Sequence, residues 1–341
     1  MTLEADPPIV ARQQGRIGRL TVNRPKALNA VNHAMVRSLH GALDAWRNDP
    51  GVEALVIEGA GGRAFCAGGD IRQVRDMALV GQYADVEAFF ADEYALNLAI
   101  ARYPKPYVAL IDGVCMGGGM GLSIHGSARV VTDAAMLAMP ETGIGFFPDV
   151  GASYFLPRLP GTHGMFLALT GTRVDGADAA GLGLATHYVA RDRIAVLAEE
   201  MAQDGLAALG RAALPISTGS RPGHDEVAAC FGADTVAGIL ERLAGLESAP
   251  AQDALSTLRS RSPTAVLWAF ELMRLGAGRT LDQCLRAELA LTRHVVRHPD
   301  FAEGVRAMVV DKDRNPRWSP ARIEDVPLDG IKALFRQLGS G

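Results

Sequence analysis

The chain has 341 residues, 34 basic against 38 acidic side chains, a formal net charge of −4, and 48% hydrophobic residues. That content is enough for a large core and excludes a disordered chain, while the mildly acidic balance without a basic block excludes the electrostatic footprint of a nucleic-acid binder. Small molecules are the expected partners. Four cysteines (Cys66, Cys115, Cys230 and Cys284) lie far apart without a CxxC pair, so buried thiols in a reducing cytoplasm are expected rather than a disulfide framework or a zinc ribbon. The first residues, "MTLEADPPIVARQQG", have no apolar core, and no later stretch reaches the roughly 20 apolar residues of a membrane span. A soluble, untargeted chain with no membrane partner is expected.

In chain order, "RIGRLTVN" reads as a strand. Met35, Leu39, Ala42 and Trp46 then fall at spacings of four, three and four, one stripe of an amphipathic helix. "EALVIEG" and "PYVALIDG" are strands running into glycine, and residues 85–103 between them read as a helix. "ARVVT" and "AMLAM" are two further short strands. Repeated strand–helix units predict an α/β core. From about Thr170 the sequence turns to Ala, Leu and Arg at helical spacing, as in "RIAVLAEEMAQDGLAALG" and "DQCLRAELALTRHVVRH". The predicted division is a core over residues 1–210 and a mainly helical region over 211–341, with "PISTGSRPGHDE" (Pro215–Glu226) as the linker candidate.

Glycine supplies the strongest chemical signal, in "GAGGRAFCAGGD" after one strand and "GVCMGGGMGLSIHG" after another. Glycine lets a ligand approach the backbone, and N–H groups opening a helix are donors suited to developing negative charge, so two such turns can build an oxyanion hole. Tight turns and close helix packing explain the same glycines equally well on spacing alone. Neither run has phosphate-loop or dinucleotide spacing. Glu93 shares a helix face with Phe89, Leu96 and Ile100. A carboxylate on an apolar stripe either reaches solvent at its edge or needs a partner, a cleft or a raised pKa. Glu141 follows a predicted strand, where α/β proteins place their sites, and Asp149, before "VGASYFL", reads first as a helix N-cap. His294 and His298 have metal-ligand spacing without a third ligand, and Ser123 and His125 lack an acid, so surface histidines and an ordinary serine are the better readings.

Taken together, "LTVNRPKALNAVNHAMVRSL", "GAGGRAFCAGGDIRQV", "GVCMGGGMGLSIHGSARVVT" and "LAMPETGIGFFPDVGASYFLPRLPG" resemble the crotonase (enoyl-CoA hydratase/isomerase) superfamily in order and spacing, over nearly the whole chain. The resemblance implies a crotonase-type spiral of repeated ββα units, a helical C-terminal region and a CoA thioester as substrate. It also implies an oxyanion hole from the N–H groups of Gly69 and Gly118. The family's trimeric habit leaves a homo-oligomer open. Hydratases of this family carry a second catalytic Glu two residues after the glycine triplet, where this chain has Gly121. With Glu141 and Asp149 present, and with "EYALNLAIARYPKPYVALIDG" and "FAEGVRAMVVDKDRNPRW", the chain is most similar to the 3-hydroxyisobutyryl-CoA hydrolase branch, which belongs to valine degradation. In that branch Glu93, Gly118, Glu141 and Asp149 occupy substrate-binding or catalytic positions. By the same resemblance the CoA moiety lies against Lys26, Ala27 and Leu28 and the loop containing Ala64, Gly68, Asp70 and Ile71. No metal or redox cofactor is implied, since CoA is part of the substrate. The alternatives are a lyase or isomerase of the same fold, using Glu141 as base, and a non-catalytic CoA-binding homologue.

Overall fold

A computed structural model describes residues 7–216 and 224–339. The predicted linker Pro215–Glu226 falls largely outside them; its last three residues open the helix His224–Cys230.

Ten strands are formed among the described residues: β1 (Ile9–Gln14), β2 (Ile17–Val22), β3 (Ala54–Gly59), β4 (Ala64–Cys66), β5 (Tyr107–Ile111), β6 (Val114–Met116), β7 (Ala128–Val131), β8 (Met136–Ala138), β9 (Val174–Asp175) and β10 (His187–Tyr188). They make a six-stranded sheet in the order β1-β2-β3-β5-β7-β10 and a four-stranded sheet in the order β4-β6-β8-β9. In the larger sheet only β1 is antiparallel to its neighbour; β2, β3, β5, β7 and β10 run parallel. Parallel neighbours need a crossover; the one from β2 to β3 runs through a helix alone, and each later one first supplies a strand to the smaller sheet. Thus β3 leads to β4, β5 to β6 and β7 to β8 before the chain returns. This is the repeated ββα arrangement the resemblance implies.

Five helices matter for the site: α1 (His33–Arg47), α2 (Ile71–Leu79), α3 (Tyr83–Ala101), α4 (Gly118–Ser123) and α5 (Ala152–Phe155). Asn32 caps α1 by accepting from the Met35 N–H. Its buried stripe is Met35, Val36, Leu39 and Leu43, not the predicted Ala42 and Trp46, which are half-buried. Trp46 instead covers Gly18, where a Cβ would stand 2.5 Å from the indole ring.

The chain forms two compact units, each assembled from several segments, so the cut differs from the expected boundary near residue 210. The first takes the described parts of Met1–Gly69, Ala95–Leu137 and Val174–Gly219. Its core packs Ile17, Val56, Val108, Leu110 and Val130 of the larger sheet with Val189, Leu197, Met201 and Leu209. The β-branched residues suit strands buried on both faces. The second takes Asp70–Tyr94, Ala138–Arg173 and the described parts of Ser220–Gly341. It is mainly helical, and its helix Pro263–Gly276 is buried almost all round. Gly276 permits this: a Cβ there would lie 2.0 Å from the Ser153 carbonyl oxygen.

Candidate active site

In the first unit the glycine-rich turns meet. Pro25–Ala27 forms a 3-10 turn, after which Leu28 and Asn29 adopt φ of 49° and 60°. Asn29 stabilises that left-handed pair: its buried side chain accepts from the Arg24 N–H at 2.9 Å and donates to the carbonyls of Ala60 at 2.9 Å and Ala64 at 2.8 Å. The Ala67 N–H donates to the Leu28 carbonyl at 3.0 Å, and the Val31 N–H to the Gly68 carbonyl at 2.8 Å. Lys26, Ala27 and Leu28 are thereby tied to the loop Ala64–Gly69, with Lys26 and Ala27 exposed.

Gly68 has φ of 114°, and Gly117 has φ of 49° with ψ of −118°, conformations that a Cβ disfavours. A Cβ on Gly68 would stand 3.3 Å from the Met116 carbonyl oxygen and 3.8 Å from the Gly118 nitrogen, and one on Gly119 only 2.3 Å from the Cys66 carbonyl oxygen. The loop after β4 and the start of α4 are thus packed backbone to backbone. Gly118 is the first residue of α4, where an N–H has no partner within the helix. Gly121 sits in that helix, its N–H bonded to the Gly117 carbonyl at 3.2 Å. Asp70 and Ile71 begin α2 in the second unit, and the Asp70 side chain does not cap that helix.

The second unit brings the carboxyl groups together. Glu93, Glu141, Asp149 and a fourth acid, Glu288, are all buried. Glu93 is carried by α3 and buried, so of the two readings left open for it on the apolar stripe the solvent-reaching edge is excluded. Glu141 opens a 3-10 turn (Glu141–Ile144) directly after β8 and Pro140. Gly145 ends the turn at φ of 69°, where a Cβ would meet the Asp300 carbonyl at 2.2 Å. Phe146 and Phe147 follow, fully buried and stacked at 4.5 Å, with Phe146 also against Phe90 at 5.5 Å and Phe301 at 5.7 Å.

Burial first, and the Asp149 charge second, push Glu93 and Glu141 well above the usual carboxylate range; Glu93 adds a smaller upward push on Glu141. Oε2 of Glu141 has no hydrogen-bond partner among the described residues. Asp149 is pushed up to about 7 by burial, against the opposing hydrogen bond that Tyr94 Oη donates to its Oδ2 at 2.8 Å. The Tyr94 phenol stays protonated, raised by its own burial and then by the Asp149 and Glu288 charges. Asp149 therefore receives a side-chain donor while Oε2 of Glu141 has none, an arrangement that separates their roles.

Asp149 is not a helix cap. The residue before α5 is Gly151, in a left-handed conformation (φ of 86°), and Val150 precedes it at φ of 52°. The cap comes from a distant residue: Glu288, on the helix Leu281–Val295, accepts from the Gly151 N–H at 2.7 Å, the Ser153 N–H at 3.1 Å and Ser153 Oγ at 2.5 Å. Even so, burial holds Glu288 at about 8. The sequence reading missed Tyr94 and Glu288. Glu288 carries the same signature as Glu93, an acid among Cys284, Leu291 and Val295 at spacings of four, three and four; Tyr94 lies off its helix's stripe and gives no such signal.

Ser123 and His298 serve the fold. Ser123 Oγ donates to the Gly119 carbonyl at 2.9 Å. His298 caps the helix Pro299–Val305, accepting from the Asp300 N–H at 3.2 Å. No group of three metal-ligating side chains forms among the described residues. All four cysteines are buried and outside any disulfide, and no described helix is long and apolar enough to cross a membrane.

Two sheets linked by ββα crossovers, with paired glycine turns and a buried acid cluster, define the class: the chain belongs to the enoyl-CoA hydratase/isomerase family, whose model matches residues 17–335. Among its relatives, the mitochondrial 3-hydroxyisobutyryl-CoA hydrolase of Rattus norvegicus is 42% identical over 97% of this chain and 89% of its own length. Two solved structures are similar throughout. A carnitinyl-CoA dehydratase from Mycobacterium thermoresistibile has a TM-score of 0.92 at 40% identity, covering 97% of this chain and 96% of that one. An enoyl-CoA hydratase from Rhodobacter sphaeroides has a TM-score of 0.89 at 37% identity, covering 96% and 97%. The expectation of a cytoplasmic protein is corrected: the curated hydrolase relatives, those of Rattus norvegicus and Homo sapiens included, are mitochondrial. Buried cysteines outside any disulfide point to a reducing setting without saying which compartment provides it.

Proposed function

We propose that the chain hydrolyses a small 3-hydroxyacyl-CoA thioester, 3-hydroxyisobutyryl-CoA before others, to the free acid and CoA, as a step of valine degradation. The observation that carries this reading is the buried Glu141 carboxyl, with Oε2 unpaired among the described residues, beside a second acid, Asp149, whose charge raises it. A carboxylate raised in this way is a stronger base or nucleophile once ionised, and an acid near neutrality can return the proton. The N–H groups of Gly69 and Gly118 stabilise the oxyanion as the carbonyl carbon becomes tetrahedral. Glu141 deprotonates the water that attacks that carbon, or attacks it itself to give a mixed anhydride, which water hydrolyses to the free acid once CoA has left. The C–S bond then breaks, and the departing CoA thiolate takes up a proton that Asp149 can deliver. Glu93 binds the hydroxyl of the acyl group, and CoA lies along Lys26–Leu28 and the loop Ala64–Ile71. No metal or redox cofactor enters this chemistry, so dialysis against a chelator is expected to leave the rate unchanged. Self-association in the family's trimeric manner belongs to the same proposal, and light scattering of the purified chain reads it.

The two similar solved structures are a dehydratase and a hydratase, which favours a lyase as the second reading. Against it stands Gly121, at the position where hydratases of the family supply their second glutamate. Free-thiol release from 3-hydroxyisobutyryl-CoA, measured beside loss of the double-bond absorbance of crotonyl-CoA, separates the two readings.

A further inference from the structure

Two asparagines lie fully buried in this fold, and they differ in one respect. Asn29 uses its amide on three backbone partners. Asn97, equally buried, has no hydrogen-bond partner for either Oδ1 or Nδ2 among the described residues. A buried polar atom left unpaired is costly, and asparagine is also a weak helix former. Leucine, of similar size, would suit a position between the buried Leu96 and Ile100 better on both counts. The fold gains nothing from this amide.

Its place on α3 indicates a use. The helix runs unbroken from Tyr83 to Ala101, so Asn97 follows Glu93 by one turn on the same face, with Cβ atoms roughly 6 Å apart. Glu93 is the residue assigned to the acyl hydroxyl in the reading above, on which this inference rests. An amide offers one donor and one acceptor side by side without adding charge to a set of acids that already raise one another. Among the groups of a short 3-hydroxyacyl thioester, only the hydroxyl both donates and accepts; the carbonyl only accepts, and the methyl does neither. We propose that Asn97 binds the hydroxyl of the acyl group, donating from Nδ2 and accepting at Oδ1, and so determines the preference for hydroxylated over plain acyl chains.

The test measures binding, not turnover. Dissociation constants for 3-hydroxyisobutyryl-CoA and isobutyryl-CoA are measured by calorimetry in a Glu141→Gln background, with and without Asn97→Leu. The expected result is a preference for the hydroxylated ligand that falls about tenfold in the double variant, through weaker binding of that ligand alone. Asn97→Ala gives the same ratio should the Leu variant not fold. An unchanged ratio overturns the proposal and leaves the amide to a bound water. Equal weakening of both ligands also overturns it, placing Asn97 against the CoA arm. Thiol release by the chain with Glu141 intact tests the hydrolase reading separately, so the two failures are distinguishable.

Discussion

At the scale of single residues the account rests on how differently the acids are treated. Glu141→Gln keeps shape and burial but removes the base or nucleophile, so thiol release should fall by about 10²–10⁴ while CoA binding, measured by calorimetry, persists. Near-normal turnover in the folded variant would remove Glu141 from the chemistry. Asp149 makes a prediction about pH. Its folded pKa, about 7, lies above the ordinary value of 3.8, so the folded state holds a proton that the unfolded chain has released. The stability tied to that proton is complete below about pH 4 and is lost as pH rises through 7. Asp149→Asn should therefore flatten the decline between those limits and make the protein more stable at pH 8, by on the order of 2–4 kcal/mol. Urea titrations at pH 5 and pH 8 give the comparison, and a variant less stable at pH 8 would contradict the burial argument. Tyr94→Phe works in the opposite sense. The hydrogen bond from Tyr94 lowers the Asp149 pKa, so its loss should move the alkaline limb of the kcat/KM profile, where the proton donor Asp149 is lost, to higher pH; a limb that stays in place would remove Tyr94 from the titration.

At the scale of elements, the site depends on a link that runs between segments far apart in sequence. Glu288 on the helix Leu281–Val295 holds the start of α5 through three hydrogen bonds, and its own carbonyl accepts from Thr292 Oγ1 at 2.9 Å. Glu288→Gln would set an amide N–H₂ against one of those N–H donors. The expected effect is a loss of about 1–3 kcal/mol in stability together with a lower kcat at unchanged KM, because the turn bearing Asp149 is released while the CoA contacts are not touched. Unchanged kcat per folded molecule would make Glu288 a cap and nothing more. This link also explains what the sequence conceals. Short apolar runs reveal β2, β3, β5, β7 and β8, and helical spacing reveals α1 and α3, since pattern and burial go together. The strands β4 and β6 escape because each has three residues and borders a glycine run that reads as turn. Asp149 reads as a cap because local rules assign capping to the nearest polar residue, whereas the structure supplies the cap from a residue 137 positions away.

At the scale of the whole molecule, the family was legible in four motifs, Glu93 lies on a helix that the local pattern predicts, and Glu141 follows a strand that it predicts. What the pattern could not give was environment. Glu93 and Glu288 sit on apolar stripes in the same way, yet one is assigned to substrate and the other serves the backbone, a distinction that depends on partners brought close only by folding. The division into two interleaved units has the same origin, because contacts rather than chain order define it. Reaction class, too, is a property of the whole set of groups. Hydration of an enoyl thioester needs two carboxylates around one water, and the chain has Gly121 where the second belongs. Thioester hydrolysis needs oxyanion donors, Glu141 and a group that reads the hydroxyl. The most direct measurement is the ratio, for the unmodified protein, of thiol release from 3-hydroxyisobutyryl-CoA to hydration of crotonyl-CoA. The account predicts that thiol release exceeds hydration by about 10² or more, the scale on which a missing acid–base group acts; efficient crotonyl-CoA hydration with little thiol release would contradict it.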